Sequence, residues 1–425
     1  MQERQELMKR LVDNANTPAL SLSWCQNDIR DAIAFGKTSS SEPNLVNTDT
    51  LFQAASLSKP VSAAIVLNLV AQGKWDLDTP LADIAEYGPP QLKQDPHYKM
   101  LTTRMVIGQC SGLANYGQDG DDGTKFIAKP NTRFTYSGVA LEFLMQVIEK
   151  EQKKKWEEIA QDFFKKVGMA SSTFMRQLPG GHLNGTQRDI ASAHKSAPNP
   201  DTPFVSLPPL PDDVPGIAAG SMLTTAGDYI TFLQYCLKDE FLRSNLLTGV
   251  LGNLPPTSSP TAEVQWGLGM GVYRDSSEVN NQKTIVFHWG NNTGSIAFCA
   301  MDMATGDCVV SFANSMNGPY VFQKVAELVV GDISPLFQWL SKYCSFKDEH
   351  PPKTPEDIAR TVQSIHSLSR KEPLDKSEEI THRFKLNVQQ ARANYIAPTN
   401  FSTDQESKRT DPLPLKTTLK PPWEQ

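Results

Sequence analysis

The chain has 425 residues, 39% of them hydrophobic, with a formal net charge of −6 and a pI near 5.7. That is enough apolar material for one large domain or two ordinary ones, and the balance of charge supplies no general basic field for nucleic acid or an anionic membrane. Six cysteines (Cys25, Cys110, Cys236, Cys299, Cys308 and Cys344) show no Cys-x-x-Cys spacing and read as reduced core thiols, so neither a metal site nor a cofactor is expected.

In chain order, residues 1–20 are charged and lack an apolar signal core, and the longest apolar stretch, 63–71, is interrupted by Asn68. No secretion signal or membrane span is read, and a cytoplasmic protein is expected, the processed form of a secreted chain being the alternative. Leu7, Leu11 and Val12 mark a first helix over residues 4–14. Residues 20–25 and 32–36 then read as a hairpin turning at Gln26-Asn27-Asp28.

Ser56-Leu57-Ser58-Lys59 follows, at the start of a helix whose apolar positions cover most of its surface until Gly73 stops it. Positions i and i+3 share a helix face, so the lysine nitrogen can reach the serine oxygen. A serine hydroxyl is a poor nucleophile until a neighbouring base takes its proton, and a lysine held neutral by burial and nearby cations can be that base. Taken alone, the same four residues also fit a capped helix start with a solvated lysine.

From about 77 to 245 the pattern is helical with long loops. The basic run Lys153-Lys154-Lys155 lies among Glu149, Glu151, Glu157 and Glu158 and reads as a solvated helix face. Residues 197–216 are rich in proline and predict an irregular surface loop. Strands are expected over 264–273, 284–288, 295–301 and 308–312, with Gly267-Leu268-Gly269-Met270-Gly271 read as a glycine-bearing strand segment and not as a nucleotide loop. Strands at both ends with helices between predict an α+β fold, an antiparallel sheet built from N- and C-terminal strands with flanking helices and an inserted helical lobe.

Beyond residue 346 prolines and charges increase, and a C-terminal extension, 346–425, is separated from a body of residues 1–345. Thr354-Pro355-Glu356-Asp357 starts a short helix with an apolar stripe of Ile358, Val362, Ile365 and Leu368. Residues 398–425 are expected to be disordered or an extended wrap.

Two further motifs select among the readings of Ser56. Phe134-Thr135-Tyr136-Ser137-Gly138 opens another apolar helix, and His288-Trp289-Gly290 closes a strand before Asn291-Asn292-Thr293-Gly294. With the supporting phrases Leu77-Asp78-Thr79-Pro80-Leu81, Cys110-Ser111-Gly112-Leu113 and 218–228, this order resembles the serine β-lactamase and penicillin-binding-protein superfamily, nearest to its class C β-lactamase, DD-peptidase and esterase branch. The resemblance covers about 15–335.

The resemblance implies that Ser56 is the nucleophile of an acyl-enzyme, Lys59 its proton partner and Tyr136 a second proton-transfer group. A phenolate beside an ammonium is stabilised, so Lys59 and Tyr136 can share one proton, and which of them is the base stays open. It further implies that His288 stands where many relatives carry lysine, to bind substrate charge or steer protons. Gly290 would allow close approach of backbone to ligand, and Asn291 would add its N–H to that of Ser56 in an oxyanion hole.

Two departures from the pattern limit what carries over. Gly138 replaces an asparagine and His288 replaces the lysine, changes that favour esterase or peptidase relatives over an efficient β-lactamase. The chain has no Gly-x-Ser-x-Gly elbow, which argues against an α/β-hydrolase. The expected function is a serine hydrolase acting on a small ester, a D-amino-acid peptide or amide or, slowly, a β-lactam. The alternatives are an acyltransferase using the same acyl-enzyme, and a non-catalytic scaffold whose C-terminal extension binds a protein partner. The expected partner of the site is a small-molecule ester or peptide substrate, with no nucleic acid and no membrane span.

Overall fold

The computed structural model of the protein describes residues 2–40, 44–117, 125–196, 204–208, 215–247, 254, 256–278, 281–343 and 354–371. Cys344, the boundary drawn at 345/346, the 398–425 tail and most of the 197–216 loop lie outside the described residues.

The centre of the fold is a seven-stranded antiparallel sheet. From one edge to the other its strands are Ile29–Gly36, Ala19–Gln26, Cys308–Ala313, Ser295–Asp302, Asn281–Asn292, Gly271–Glu278 and Ala262–Trp266. The first two form the expected hairpin, and its corner is Asn27 and Asp28, both at positive φ (52° and 64°). Asparagine and aspartate tolerate that left-handed conformation, which matches the twist of a two-residue turn. The N-terminal hairpin then pairs with Cys308–Ala313 in the register Leu20↔Ala313 to Cys25↔Cys308, so strands from before and after the helical region meet within one sheet.

One expectation is corrected. Residues 264–273 are not a single strand: Ala262–Trp266 and Gly271–Glu278 are antiparallel neighbours, and Gly267–Met270 turns between them. The glycines are there for the corner. A Cβ at Gly267 would lie 2.0 Å from the Leu246 carbonyl oxygen, and Gly269 has a φ of +120°.

Helices cover both faces of the sheet. On one side lies Ser58–Ala71, buried without interruption from Ser58 to Leu67, as its near-continuous apolar sequence requires. Ala226–Lys238 returns from the intervening helical region to pack on Ala19–Gln26 and Cys308–Ala313. On the other side Gln2–Ala15, Pro319–Val330 and Ser334–Tyr343 build a second core. The helix Pro355–Lys371 joins that core through Ile358, Val362 and Ile365. Buried Arg4 ties the assembly: its Nη2 donates to Asp31 at 2.6 Å and to Ser369 at 3.3 Å, linking the first helix, the hairpin and the last helix.

Five described cysteines are free and buried. Among the described residues no helix is long and apolar enough to cross a membrane.

Candidate active site

Ser56 sits on a turn held rigidly between sheet and helix. The two-residue strand Phe52–Gln53 pairs with Leu223–Thr224, and the Ala54 N–H continues that ladder by donating to the Met222 carbonyl at 2.8 Å. Ala55 then takes a positive φ of 47° and starts the 3-10 turn Ala55–Leu57 that runs into Ser58–Ala71. For a residue with a Cβ this conformation costs about 1–3 kcal/mol and persists only where the surroundings impose it. Here the Ser58 hydroxyl donates to the Ala55 carbonyl at 2.6 Å while accepting the Met222 N–H at 3.1 Å, and the Tyr229 hydroxyl donates to the Leu57 carbonyl at 2.9 Å.

The strand Asn281–Asn292 runs directly against this turn, since its neighbour Gly271–Glu278 leaves off at the Gly271↔Phe287 pair. A Cβ on Gly290 would lie 2.4 Å from the Ala54 carbonyl oxygen. Glycine at this position therefore admits the backbone that carries the nucleophile, and Asn291 follows beside it.

Lys59 lies one helical turn on from Ser56, and its Nζ donates to the Ser56 Oγ at 2.9 Å and to the Ala219 carbonyl at 2.9 Å. The side chain is buried in the core. Burial disfavours the ammonium and pushes the pKa down to about 7, against an opposing pull from Glu142. The same nitrogen stands 4.9 Å from the ring centroid of Tyr136, so Ser56, Lys59 and Tyr136 converge as the motifs implied.

Tyr136 is set by the residues on either side of it. The Thr135 N–H donates to the Gln109 carbonyl at 2.7 Å and the Ser137 N–H to the Gln109 Oε1 at 2.7 Å. The Ser137 hydroxyl caps the helix Gly138–Gln152 by accepting the Ala140 N–H at 3.1 Å. The Gly138 N–H donates to the Asn115 Oδ1 at 2.9 Å, and a Cβ on Gly138 would lie 2.8 Å from Tyr116 Cε2. The space where the lactamase pattern has an asparagine is thus occupied by the 115–116 loop.

His288, which the resemblance implies binds substrate charge or steers protons, lies as a ring enclosed by aromatic side chains. It is fully buried, and its pKa is pushed down to about 3, first by burial and then by the charge of Lys59. The Nδ1–H donates to the Trp289 carbonyl at 2.7 Å, which fixes the neutral tautomer. Its ring packs between Trp266 and Tyr136 at centroid distances of 5.4 and 6.2 Å.

Glu142 and Tyr116 join the site only through the fold. Glu142, on the helix Gly138–Gln152, accepts the N–H groups of Ala218 and Ala219 at 3.2 and 2.9 Å and the Tyr116 hydroxyl. Burial pushes its pKa up to about 7. The Ser62 hydroxyl donates to the Ala218 carbonyl at 2.7 Å, so the 218–219 segment that anchors Lys59 is gripped from two helices. The signal was a lone carboxylate in the apolar run Val139-Ala140-Leu141-Glu142-Phe143-Leu144.

A family model described as Beta-lactamase matches residues 5–330. A curated relative, the probable fimbrial assembly protein FimD, serogroup H1, of Dichelobacter nodosus, is 25% identical over 146 residues, which are 29% of this chain and 36% of that protein. The chain thus spans about a third of the length of the curated relatives it matches.

Solved structures share the fold over a longer span. The octameric penicillin-binding protein homologue from Pyrococcus abyssi has a TM-score of 0.63 at 18% identity, over 79% of this chain and 78% of that one. The D-amino acid amidase from Ochrobactrum anthropi has a TM-score of 0.58 at 18% identity, over 87% and 99%. A class C β-lactamase has 0.55 at 16% identity, over 74% and 90%. At these identities the likeness is one of fold.

Proposed function

The chain belongs to the beta-lactamase family, and from that premise we propose that it hydrolyses a small ester or amide through an acyl-enzyme on Ser56. The observation that carries the reading is the 2.9 Å contact between Lys59 Nζ and Ser56 Oγ, made by a lysine whose burial holds it near neutrality.

Neutral Lys59 takes the Ser56 proton as Oγ bonds to the substrate carbonyl carbon. The oxyanion that forms lies between the N–H groups of Ser56 and Asn291. The bond to the leaving alcohol or amine then breaks, and the leaving atom receives a proton from the Lys59–Tyr136 pair. Water attacks the acyl-enzyme by the same route in reverse, releasing the acid and restoring Ser56. The Tyr136 ring face, 4.9 Å from Lys59 Nζ, supports the ammonium stage.

Gly138 and His288 weigh against efficient β-lactam turnover, since the first offers no side-chain amide and the second no charge. Esters and D-amino-acid amides are the preferred substrates. The test is steady-state turnover of an aryl ester, a D-aminoacyl amide, a D-alanyl-D-alanine peptide and a cephalosporin. Turnover of the first two that is lost in Ser56→Ala supports the reading. Turnover unchanged in Ser56→Ala sinks it.

A further inference from the structure

A cavity of about 240 Å³ opens beside the catalytic turn, and three of its lining residues are chain neighbours of the site. Gln53 ends the short strand that leads into the Ser56 turn, Gly220 follows the Ala219 that anchors Lys59, and Asn292 follows Asn291. Among the described residues its lining carries one cation, Arg176, and no carboxylate.

The hydrogen bonds around the cavity leave donors over. Asn292 Nδ2 donates to the Gly220 carbonyl at 3.2 Å and to Gln53 Oε1 at 3.4 Å, which orients the Gln53 amide with its nitrogen away from that contact. Half-buried Arg176 donates through Nε to the Pro215 carbonyl at 2.9 Å, and its terminal nitrogens meet no carboxylate among the described residues. Burial and the charge of Glu142 raise the Tyr116 pKa and the charge of Arg176 opposes that rise, so Arg176 is felt on the Tyr116–Glu142 side of the site as well.

We infer that this cavity receives an arm of the substrate that ends in a carboxylate, with Arg176 as its cation and Gln53 as a second donor. A guanidinium presents paired N–H groups that match the two oxygens of a carboxylate. The cavity has room for a chain of a few carbons, and none of its described lining residues is an acid. The inference rests on the Ser56 acyl-enzyme reading, because the arm is held by the same substrate whose carbonyl meets Ser56.

Two measurements keep the two claims separate. Turnover is compared for p-nitrophenyl glutarate against p-nitrophenyl valerate, and for 4-carboxyphenyl acetate against phenyl acetate, placing the carboxylate on either side of the scissile bond. Binding of glutarate monoanilide and valeranilide is measured by calorimetry, which needs no chemistry. The expected result is a preference of about 10- to 100-fold for the anionic member of one pair and for the anionic anilide. It is abolished in Arg176→Gln and partly kept in Arg176→Lys. Equal binding of the two anilides, or a preference that survives in Arg176→Gln, overturns the subsite. Preferential binding without turnover of any ester leaves the subsite standing and counts against the acyl-enzyme.

Discussion

Lys59 and Glu142 hold one peptide segment between them: Lys59 Nζ donates to the Ala219 carbonyl at 2.9 Å, and Glu142 accepts the Ala219 N–H at 2.9 Å. The carboxylate therefore acts on the proposed base in two ways, by positioning its anchor and by charge.

Glu142→Gln separates these two effects. The negative charge of Glu142 raises the Lys59 pKa, so removing it lets burial push Lys59 further down. The acid limb of the pH profile for kcat/KM should move to lower pH. A glutamine oxygen can accept the Ala219 N–H but has no second carboxylate oxygen for Ala218, and a roughly 10-fold fall in kcat/KM is expected, on the order of one lost hydrogen bond. A purely structural role for Glu142 would lower activity without moving the limb. Glu142→Leu leaves both N–H groups unmet and should cost about 1–3 kcal/mol each in urea unfolding.

In the wild type, Lys59 must be neutral to take the Ser56 proton. Its pKa is depressed to about 7, so the rate of Ser56 acylation should rise with pH through about 7 and level off above it. An ordinary exposed lysine would still be gaining reactivity near ~10. Single-turnover acylation by an aryl ester, followed from pH 5.5 to 9, distinguishes the two profiles.

Gly290→Ala tests how the turn is seated. The new Cβ would meet a backbone oxygen, that of Ala54, at 2.4 Å, and backbone on both sides has little freedom to yield. The expected cost is about 1–3 kcal/mol of stability from overpacking, with acylation falling at least about 10-fold because the turn that must shift carries Ser56. Urea midpoints and acylation rates measure both, and full activity in the variant would show that the turn moves freely.

His288 links stability to acid. Its folded pKa is depressed to about 3, so between its ordinary value and that one the unfolded chain binds the extra proton. The stability contributed by neutral His288 is present above about 6.5 and is lost progressively as pH falls towards 3. His288→Gln keeps an N–H for the Trp289 carbonyl but cannot titrate. The wild type should lose more stability than His288→Gln between pH 7 and pH 5, and equal losses would contradict the neutral assignment.

Much of the site was legible because its residues act through short-range geometry. Ser56 and Lys59 are one helical turn apart, Tyr136 lies just before a helix and Gly290 near the end of a strand, so spacing and residue type carry the pattern. The hairpin turn at Asn27 and Asp28 was readable for the same local reason. The rest depends on tertiary context. The 267–271 run looks like strand because its apolar residues continue on both sides, and only the Leu246 carbonyl packed against Gly267 makes it a corner. His288 has a residue type suited to charge, and the aromatic shell that keeps it neutral comes from Trp266, Tyr136 and Trp289. Glu142 meets Lys59 only after the chain has folded back through Ala219, so no local pattern joins them.

The most direct test of the central claim is intact-mass analysis during exposure to an aryl ester, with peptide mapping of any adduct and Ser56→Ala as control. One acyl group per chain, mapped to the peptide containing Ser56 and absent from the variant, is the predicted result. Well-folded wild type that accumulates no adduct and releases no acid, or an adduct that persists in Ser56→Ala, would contradict it.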